Sequence, residues 1–299
     1  MLKSLYRLAS FIAQHPLTRN HQLAAWLRFI RWQVGSRIIK FPVLFPWINQ
    51  SNLIIERGMV GATGNLYCGL HEFDDMGFLL HFLRQEDLFI DVGANIGSYT
   101  VLAASVKNSS VLSFEPIPAT YARLMANIRA NPGARVTAIN EGLGAENEIL
   151  LFSANLDAEN HVLPNEEGFG GESIAVKVRK LDDVTGDLSP IMIKIDVEGF
   201  ESQVIQGGLN TISAPSLLVI LIELNGLGSR YGYSEDSIKS TIVDYGFTPN
   251  KYDPLTRSLI PISIVGASNH GNILFIRDID KVQERLTTSL PFNVLGRSI

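Results

Sequence analysis

The chain has 299 residues, enough for one α/β domain with extensions or for two domains, and its 46% hydrophobic and 18% charged residues with a mean hydropathy of +0.15 exclude an intrinsically disordered protein. Its one cysteine, Cys68, cannot close an intramolecular disulfide, which excludes a stapled extracellular fold and points to a reducing compartment, the cytoplasm. The net charge of −5 is uneven: residues 1–50 carry seven Lys and Arg and no acid, leaving −12 on the rest.

Residues 1–80 read as a basic, largely helical extension, with Gly61 to Gly69 as a glycine-rich connection. Leu2, Leu5, Ala9 and Ile12 fall at helical spacing, as do Leu23, Trp26, Ile30 and Val34. No transmembrane helix is expected: Leu8 to Ala13 is too short, and Arg28, Arg31 and Arg37 interrupt Leu23 to Ile39. No small-residue cleavage site follows the short apolar run, so a cleaved signal peptide is not expected either. Packing of the stripes against the rest of the chain or a second subunit is the first reading. Peripheral contact with an anionic membrane through residues 1–50, rich in Phe and Trp, is the second.

Residues 81–299 read as one α/β domain. Short apolar runs alternate with helical patterns, the signature of βαβ units on a doubly wound, mostly parallel sheet with helices on both faces. The expected strands are Leu88–Val92, Ser110–Phe114, Arg135–Asn140, Ile191–Asp196, Leu217–Leu224 and Asn272–Arg277. The expected helices are Gly97–Lys107, Ala119–Ala130, Glu201–Thr211 and Glu235–Tyr245, with Pro118 just before the second and Asn131-Pro132-Gly133 ending it. Residues 144–189 are far more than a βα unit needs. Leu150–Ser153 and Ile174–Val178 can pair as added strands around a long polar loop, Asn155 to Gly171, and loops of that length commonly serve function.

Ligands of open α/β sheets bind at the carboxyl ends of the strands. There the chain places Asp91-Val-Gly93-Ala-Asn95-Ile-Gly97, whose glycines allow a tight turn and close approach of a ligand to the backbone. A dinucleotide fingerprint beginning at Gly93 would need glycines at 95 and 98, where the chain has Asn95 and Ser98, so NAD is disfavoured. Glu115 ends the second strand, where an acid can accept both ribose hydroxyls. Turn and acid together point to a nucleoside without a cradled pyrophosphate, which suits S-adenosylmethionine.

Phe89 to Thr100, Phe114-Glu115-Pro116 with Asn127-Ile128, and Ile193-Lys-Ile-Asp196-Val-Glu198-Gly199 resemble the FkbM family of S-adenosylmethionine-dependent methyltransferases. Gly61 to Tyr67 and Gly69-Leu-His-Glu72-Phe resemble a stretch upstream in such proteins, so the likeness covers roughly Gly61 to Asp253. It implies a Rossmann-like, seven-stranded methyltransferase fold and O-methylation of a sugar, glycan or other small molecule. The cofactor would lie over Asp91, Gly93, Asn95, Gly97 and Glu115, with adenine near Glu141 and Gly142.

Asp196 and Glu198 would share one face if their strand continued through Glu198. Either could hold an acceptor hydroxyl, and Asp196 is one candidate base. The competing reading makes Asp196 a helix N-cap and Glu198 a first-turn charge, and no metal site is expected from two acids alone. His161, in an Asn-His-Val-Leu step that looks like the sugar-type branch of the family, is the other candidate base, beside Asn160. Glu223 and Asn225 end a buried strand on the same rim, and Tyr231 or Tyr233 could stack on a sugar. The acidic balance disfavours nucleic acid. A nucleotide-sugar oxidoreductase or epimerase and a non-catalytic membrane-associated scaffold are the rival readings.

Overall fold

The computed structural model describes residues 2–154, 160–163, 170–263 and 271–299, so most of the loop expected over Asn155 to Gly171 lies outside the described residues. Helices α1 (Leu2–Gln14) and α2 (Gln22–Ile38), a hairpin of β1 (Val43–Pro46) and β2 (Asn52–Ile55), and helices α3 (Val60–Cys68) and α4 (Phe73–Phe82) come first. Then follow β3 (Leu88–Val92), α5 (Ser98–Val101, continued by a π-helical turn to Val106), β4 (Ser110–Phe114), α6 (Pro118–Arg129) and β5 (Arg135–Ile139). The inserted part holds β6 (Gly142–Leu143), β7 (Glu148–Ser153), β8 (Ser173–Arg179) and α7 (Leu181–Thr185). The chain continues through β9 (Met192–Ile195), α8 (Glu201–Gln206), α9 (Leu209–Ser213), β10 (Val219–Leu224), α10 (Glu235–Asp244), β11 (Thr248–Asp253), β12 (Ser258–Pro261), β13 (Gly271–Ile276) and α11 (Ile279–Thr287). A two-residue hairpin near the end, Asn293–Val294 with Arg297–Ser298, completes it.

The main sheet runs β12-β11-β13-β10-β9-β3-β4-β5. The five strands from β10 to β5 are parallel, so their carboxyl ends share one edge, while β13, β11 and β12 are antiparallel. Strands covered on both faces need apolar residues at every position, which is why β9 and β10 read as nearly continuous apolar runs. Alternate side chains divide between two cores. Phe89, Met192 and Leu221 pack on one face with α4 and α11, and Ile90, Ile193 and Ile220 on the other with α8, α9 and α10.

The doubly wound architecture is the expected one, with eight strands in place of seven. The unexpected pair is β11–β12. Proline at 249 and polar neighbours disguise β11, but its inward positions, Asn250 and Tyr252, are buried at the alternation of a strand. The single helix expected over Glu201–Thr211 breaks at Gly207-Gly208, and a Cβ at Gly207 would lie 1.9 Å from the Gly144 carbonyl oxygen, so that position needs glycine. The supposed glycine-rich connection is helix α3, closed by Gly69 at φ 85°. Nor does core packing stop at residue 80, since Phe78, Leu79 and Phe82 of α4 share one apolar cluster with Phe89, Leu274, Leu17 and Ile48. The added strands pair as anticipated, Leu150 opposite Val176, and the resulting sheet buries Phe152 and Val178 against Ile117 and Phe200.

Asn127 in the last turn of α6 and Asn131 just past its end fasten the β1–β2 hairpin to the domain. Asn127 accepts from the Ile54 N–H at 2.6 Å and donates to the Ile96 carbonyl at 2.7 Å, and Asn131 accepts from the Asn52 N–H and donates to its carbonyl. Asn127→Ala would leave the amide of Ile54 and the carbonyl of Ile96 unsatisfied, each costing about 1–3 kcal/mol. A loss of about 2–4 kcal/mol in urea unfolding is expected, and an unchanged midpoint would show the clamp to be replaceable by water.

Candidate active site

The carboxyl ends of β3, β4, β9 and β10, closed over by α3, the start of α4 and the inserted sheet, enclose a cavity of about 290 Å³, near the lower end of the usual small-molecule range. Asp91, Gly93, Asn95, Glu115, Glu141, Gly142, Asn160, Asp196, Glu198 and Glu223 all line it.

The turn after β3 is built by exceptions to ordinary backbone. Gly93, Asn95 and Gly97 have φ of 77°, 51° and 90°, a region open to glycine and tolerated by asparagine. Both glycines sit where a side chain would run into protein. A Cβ at Gly93 would lie 1.8 Å from the Asp196 carbonyl oxygen, and one at Gly97, which does not line the cavity, 2.5 Å from Leu124 of α6. The missing side chains at both positions thus allow close chain packing, and the Gly93 backbone lines the cavity.

Glu115 is buried and held from both sides: one oxygen accepts from the Asn95 N–H at 2.9 Å, the other from the Ile117 N–H at 3.0 Å. Burial nevertheless pushes its carboxyl up to about 7, the two hydrogen bonds opposing. Asp91, also buried, accepts from the Thr100 hydroxyl at 2.6 Å through one oxygen, while its Oδ1 has no partner. Its pKa is raised by burial. Glu141 lines the cavity: its Oε1 accepts from Lys177 of β8 at 2.6 Å, while its Oε2, 3.7 Å from Arg179, is buried without a hydrogen-bond partner. The Gly142 backbone and the apolar Ile117, Leu143 and Phe152 complete this part of the wall.

The other half of the cavity is acidic around one buried cation. Lys194 of β9 bonds Asp196 at 2.7 Å, and its ammonium lies 4.9 Å from the Tyr99 ring centre. Burial opposes its charge, but Asp196, Asp91 and Glu72 hold its pKa above the ordinary lysine value. Burial likewise works against the Asp196 charge, and Lys194 reverses that, keeping the carboxyl below the usual range. Glu223 moves the other way: burial, then the Asp196 charge and a hydrogen bond to it, push it up to about 9. Glu223 therefore keeps its proton at neutral pH and donates it to Asp196. Carboxylate oxygens of Asp196, Glu198 and Glu223 lie within 4.8 Å of one another, an oxygen set that could hold a hard cation, which two acids read alone did not suggest.

Strand β9 stops at Ile195, so the strand-based pairing of Asp196 with Glu198 does not hold. Glu198 sits at φ 53° in a turn whose Val197 and Gly199 amides donate to Glu201. The helix-cap reading fails as well, since α8 begins at Glu201 behind Phe200. His161 is displaced from its expected place. Its backbone N–H and carbonyl pair with Ser153 of β7, and Asn160, not His161, reaches the cavity wall. Asn225 stands behind the wall, donating to Glu223 at 3.3 Å. Tyr231 donates to the Val162 carbonyl and Tyr233 accepts from Gln203, so both pack loops instead of offering a stacking face.

Sequence reasoning passed over Glu72, which accepts from the Tyr99 hydroxyl at 2.7 Å, and Lys194 itself. Both lay inside motifs already quoted.

A family model described as methyltransferase FkbM domain matches residues 91–249. The chain is 30% identical over 156 residues to the hexuronic acid methyltransferase AglP of Haloferax volcanii, an alignment covering 50% of this chain and 62% of that protein. It is 28% identical over 145 residues to Methyltransferase 1 of Beauveria bassiana, covering 41% and 58%. The matched region thus spans less than two thirds of either relative. Among solved structures, a TehB-like SAM-dependent methyltransferase from Corynebacterium glutamicum superposes with a TM-score of 0.39 at 10% identity, covering 72% of this chain and 94% of that one.

Gly93→Ala tests the turn. With a carbonyl oxygen 1.8 Å from the new methyl and φ at 77°, the variant is expected to be recovered largely insoluble or with a melting temperature lowered by many degrees. A melting curve matching the wild type would show that the β3 and β9 ends can separate.

Proposed function

The chain belongs to the methyltransferase FkbM family, and from that premise we propose that it transfers the methyl group of S-adenosylmethionine to a hydroxyl of a sugar, glycan or other polyol. The observation that carries the reading is Glu115: a carboxylate fixed by two backbone amides at the end of the second parallel strand, with lone pairs left for two more donors. A ribose diol supplies such donors. Asp91 Oδ1, buried without a partner, supports a further donor from the same ligand, and Ile117, Leu143 and Phe152 beside Gly142 suit a flat adenine ring. When bound, the cofactor supplies a methyl group activated by its sulfonium.

In this reading the acidic half of the cavity holds the acceptor. Asp196 and Glu198 accept from its hydroxyls, Asn160 adds an amide, and Asp196 takes the proton of the reacting oxygen. That proton grows strongly acidic as the oxygen bonds carbon, so a carboxylate held low by Lys194 suffices as its acceptor. Alignment of the two reactants contributes most of the acceleration. Lys194, the one ammonium on the wall, is already paired, which favours an uncharged polyol over an anion such as the hexuronic acid of the Haloferax relative's name. The acidic surroundings also weigh against a nucleic-acid acceptor.

Calorimetry with S-adenosylhomocysteine and NAD tests the cofactor assignment. Ribose hydroxyls donate to the ionised carboxylate, so binding favours loss of the Glu115 proton, and affinity rises with pH until the group is ionised near pH 7. S-adenosylhomocysteine is expected to bind about ten-fold more weakly at pH 6 than at pH 8, a slope that Glu115→Gln removes. Binding of NAD without the sulfur ligand overturns the reading.

For the chemistry, Asp196→Asn is expected to lower turnover by about 10²–10⁴-fold with S-adenosylhomocysteine still bound, while His161→Ala stays near wild type. Full turnover in Asp196→Asn, measured with methyl-labelled cofactor, would remove Asp196 as the proton acceptor.

A further inference from the structure

Helix α2 is apolar on two sides. Its inner side buries Ala25 completely and packs Trp26, Phe29 and Trp32 around Ile12, Tyr67 and Cys68, while Arg28 donates twice to the Tyr67 carbonyl. The helix is therefore docked on α3. Its outer side presents Leu23, Leu27, Ile30, Val34 and Ile38, each between 51% and 82% exposed. With 3.6 residues per turn these five fall within an arc of about 80° and form a stripe roughly 22 Å long. The stripe suggested by spacing alone, Leu23-Trp26-Ile30-Val34, is thus split: Trp26 turns inward and the others face out.

Exposed apolar stripes of this length mark interaction sites. The charges around it select the partner. Arg31 and Arg37, both exposed, stand on either side of the stripe, Arg19 precedes the helix and Lys40 follows it, and no acid occurs before Glu56. A two-fold contact with a second copy would set this cationic rim against its own image. A surface with apolar depth and negative headgroups satisfies both the stripe and the rim.

We propose that the outer face of α2 docks the protein on an anionic lipid bilayer, lying in the interface with Leu23, Leu27, Ile30, Val34 and Ile38 inserted and Arg31 and Arg37 at the headgroups. It lies there without crossing, since no helix of the described residues is long and apolar enough to span a membrane. Because α2 packs on α3, and Ala62 of α3 lines the cavity, docking holds the cavity one helix layer from the headgroups. The proposal stands apart from the methyl-transfer reading and survives its failure.

Flotation of the full chain with phosphatidylcholine vesicles, with and without phosphatidylglycerol, tests it. Binding to the mixed vesicles at low salt is expected, weakening as salt is raised. Leu27→Glu, Ile30→Glu and Val34→Glu combined should abolish it while the melting curve and S-adenosylhomocysteine binding stay unchanged. Arg31→Gln and Arg37→Gln, which leave the stripe intact, should each lower partitioning about five-fold. Absence of flotation at low salt, or flotation that the triple variant retains, overturns the proposal. So does a dimer that the triple variant splits in a protein that ignores vesicles, which would assign the stripe to a second copy.

Discussion

Lys194 sets the terms on which the rest of the site is arranged. It points from a strand otherwise made of Met192, Ile193 and Ile195, inside a sheet covered on both faces, and a buried ammonium is tolerated only with its charge answered nearby. The answer comes from three directions: Asp196 two residues on, Asp91 at the end of β3, and Glu72 at the start of α4, with the Tyr99 ring beside the ammonium. Removing any of these acids would leave part of the charge uncompensated. A pair of this kind adds little net stability. It orients, placing carboxylates of three separated segments around one cavity.

From this follows the division of labour among the acids. Asp196, closest to Lys194, stays ionised, and its charge in turn keeps the proton on Glu223. Neighbouring acids of one cavity thus hold different protonation states at neutral pH, with Glu223 the donor and Asp196 the acceptor of the hydrogen bond between them. The turn residues around them have one purpose, to let β3 and β9 end close enough for this arrangement. Gly93 is glycine because the Asp196 carbonyl oxygen stands where its side chain would be, and Glu201 holds the Glu198 turn by accepting its amides.

The helices before β3 connect the site to the outside of the molecule. Asn65 of α3 donates to the Ser98 hydroxyl at the start of α5 and accepts from the His71 amide, so the segment around Glu72 is tied to the turn after β3. On the far side of α3, Tyr67 receives Arg28 of α2. Hydrogen bonds and ring contacts thus tie the cavity wall to α3, and α3 to the inner side of α2.

The sequence alone determined the doubly wound sheet, the positions of its central strands along the chain, the added strands of the insertion and part of the cavity wall. Those are local properties: buried parallel strands announce themselves as apolar runs, and ligand-facing residues follow their carboxyl ends. It could not decide which elements touch. That Gly93 meets a carbonyl, that Tyr231 is spent on Val162, that His161 falls short of the wall while Asn160 reaches it, and that Trp26 turns inward while Leu23 turns out depend on packing between segments far apart in the chain. Only the tertiary structure brings Lys194 among Asp91, Asp196 and Glu72, because a charge on an apolar strand looks like an interruption until the partners that neutralise it are folded around it.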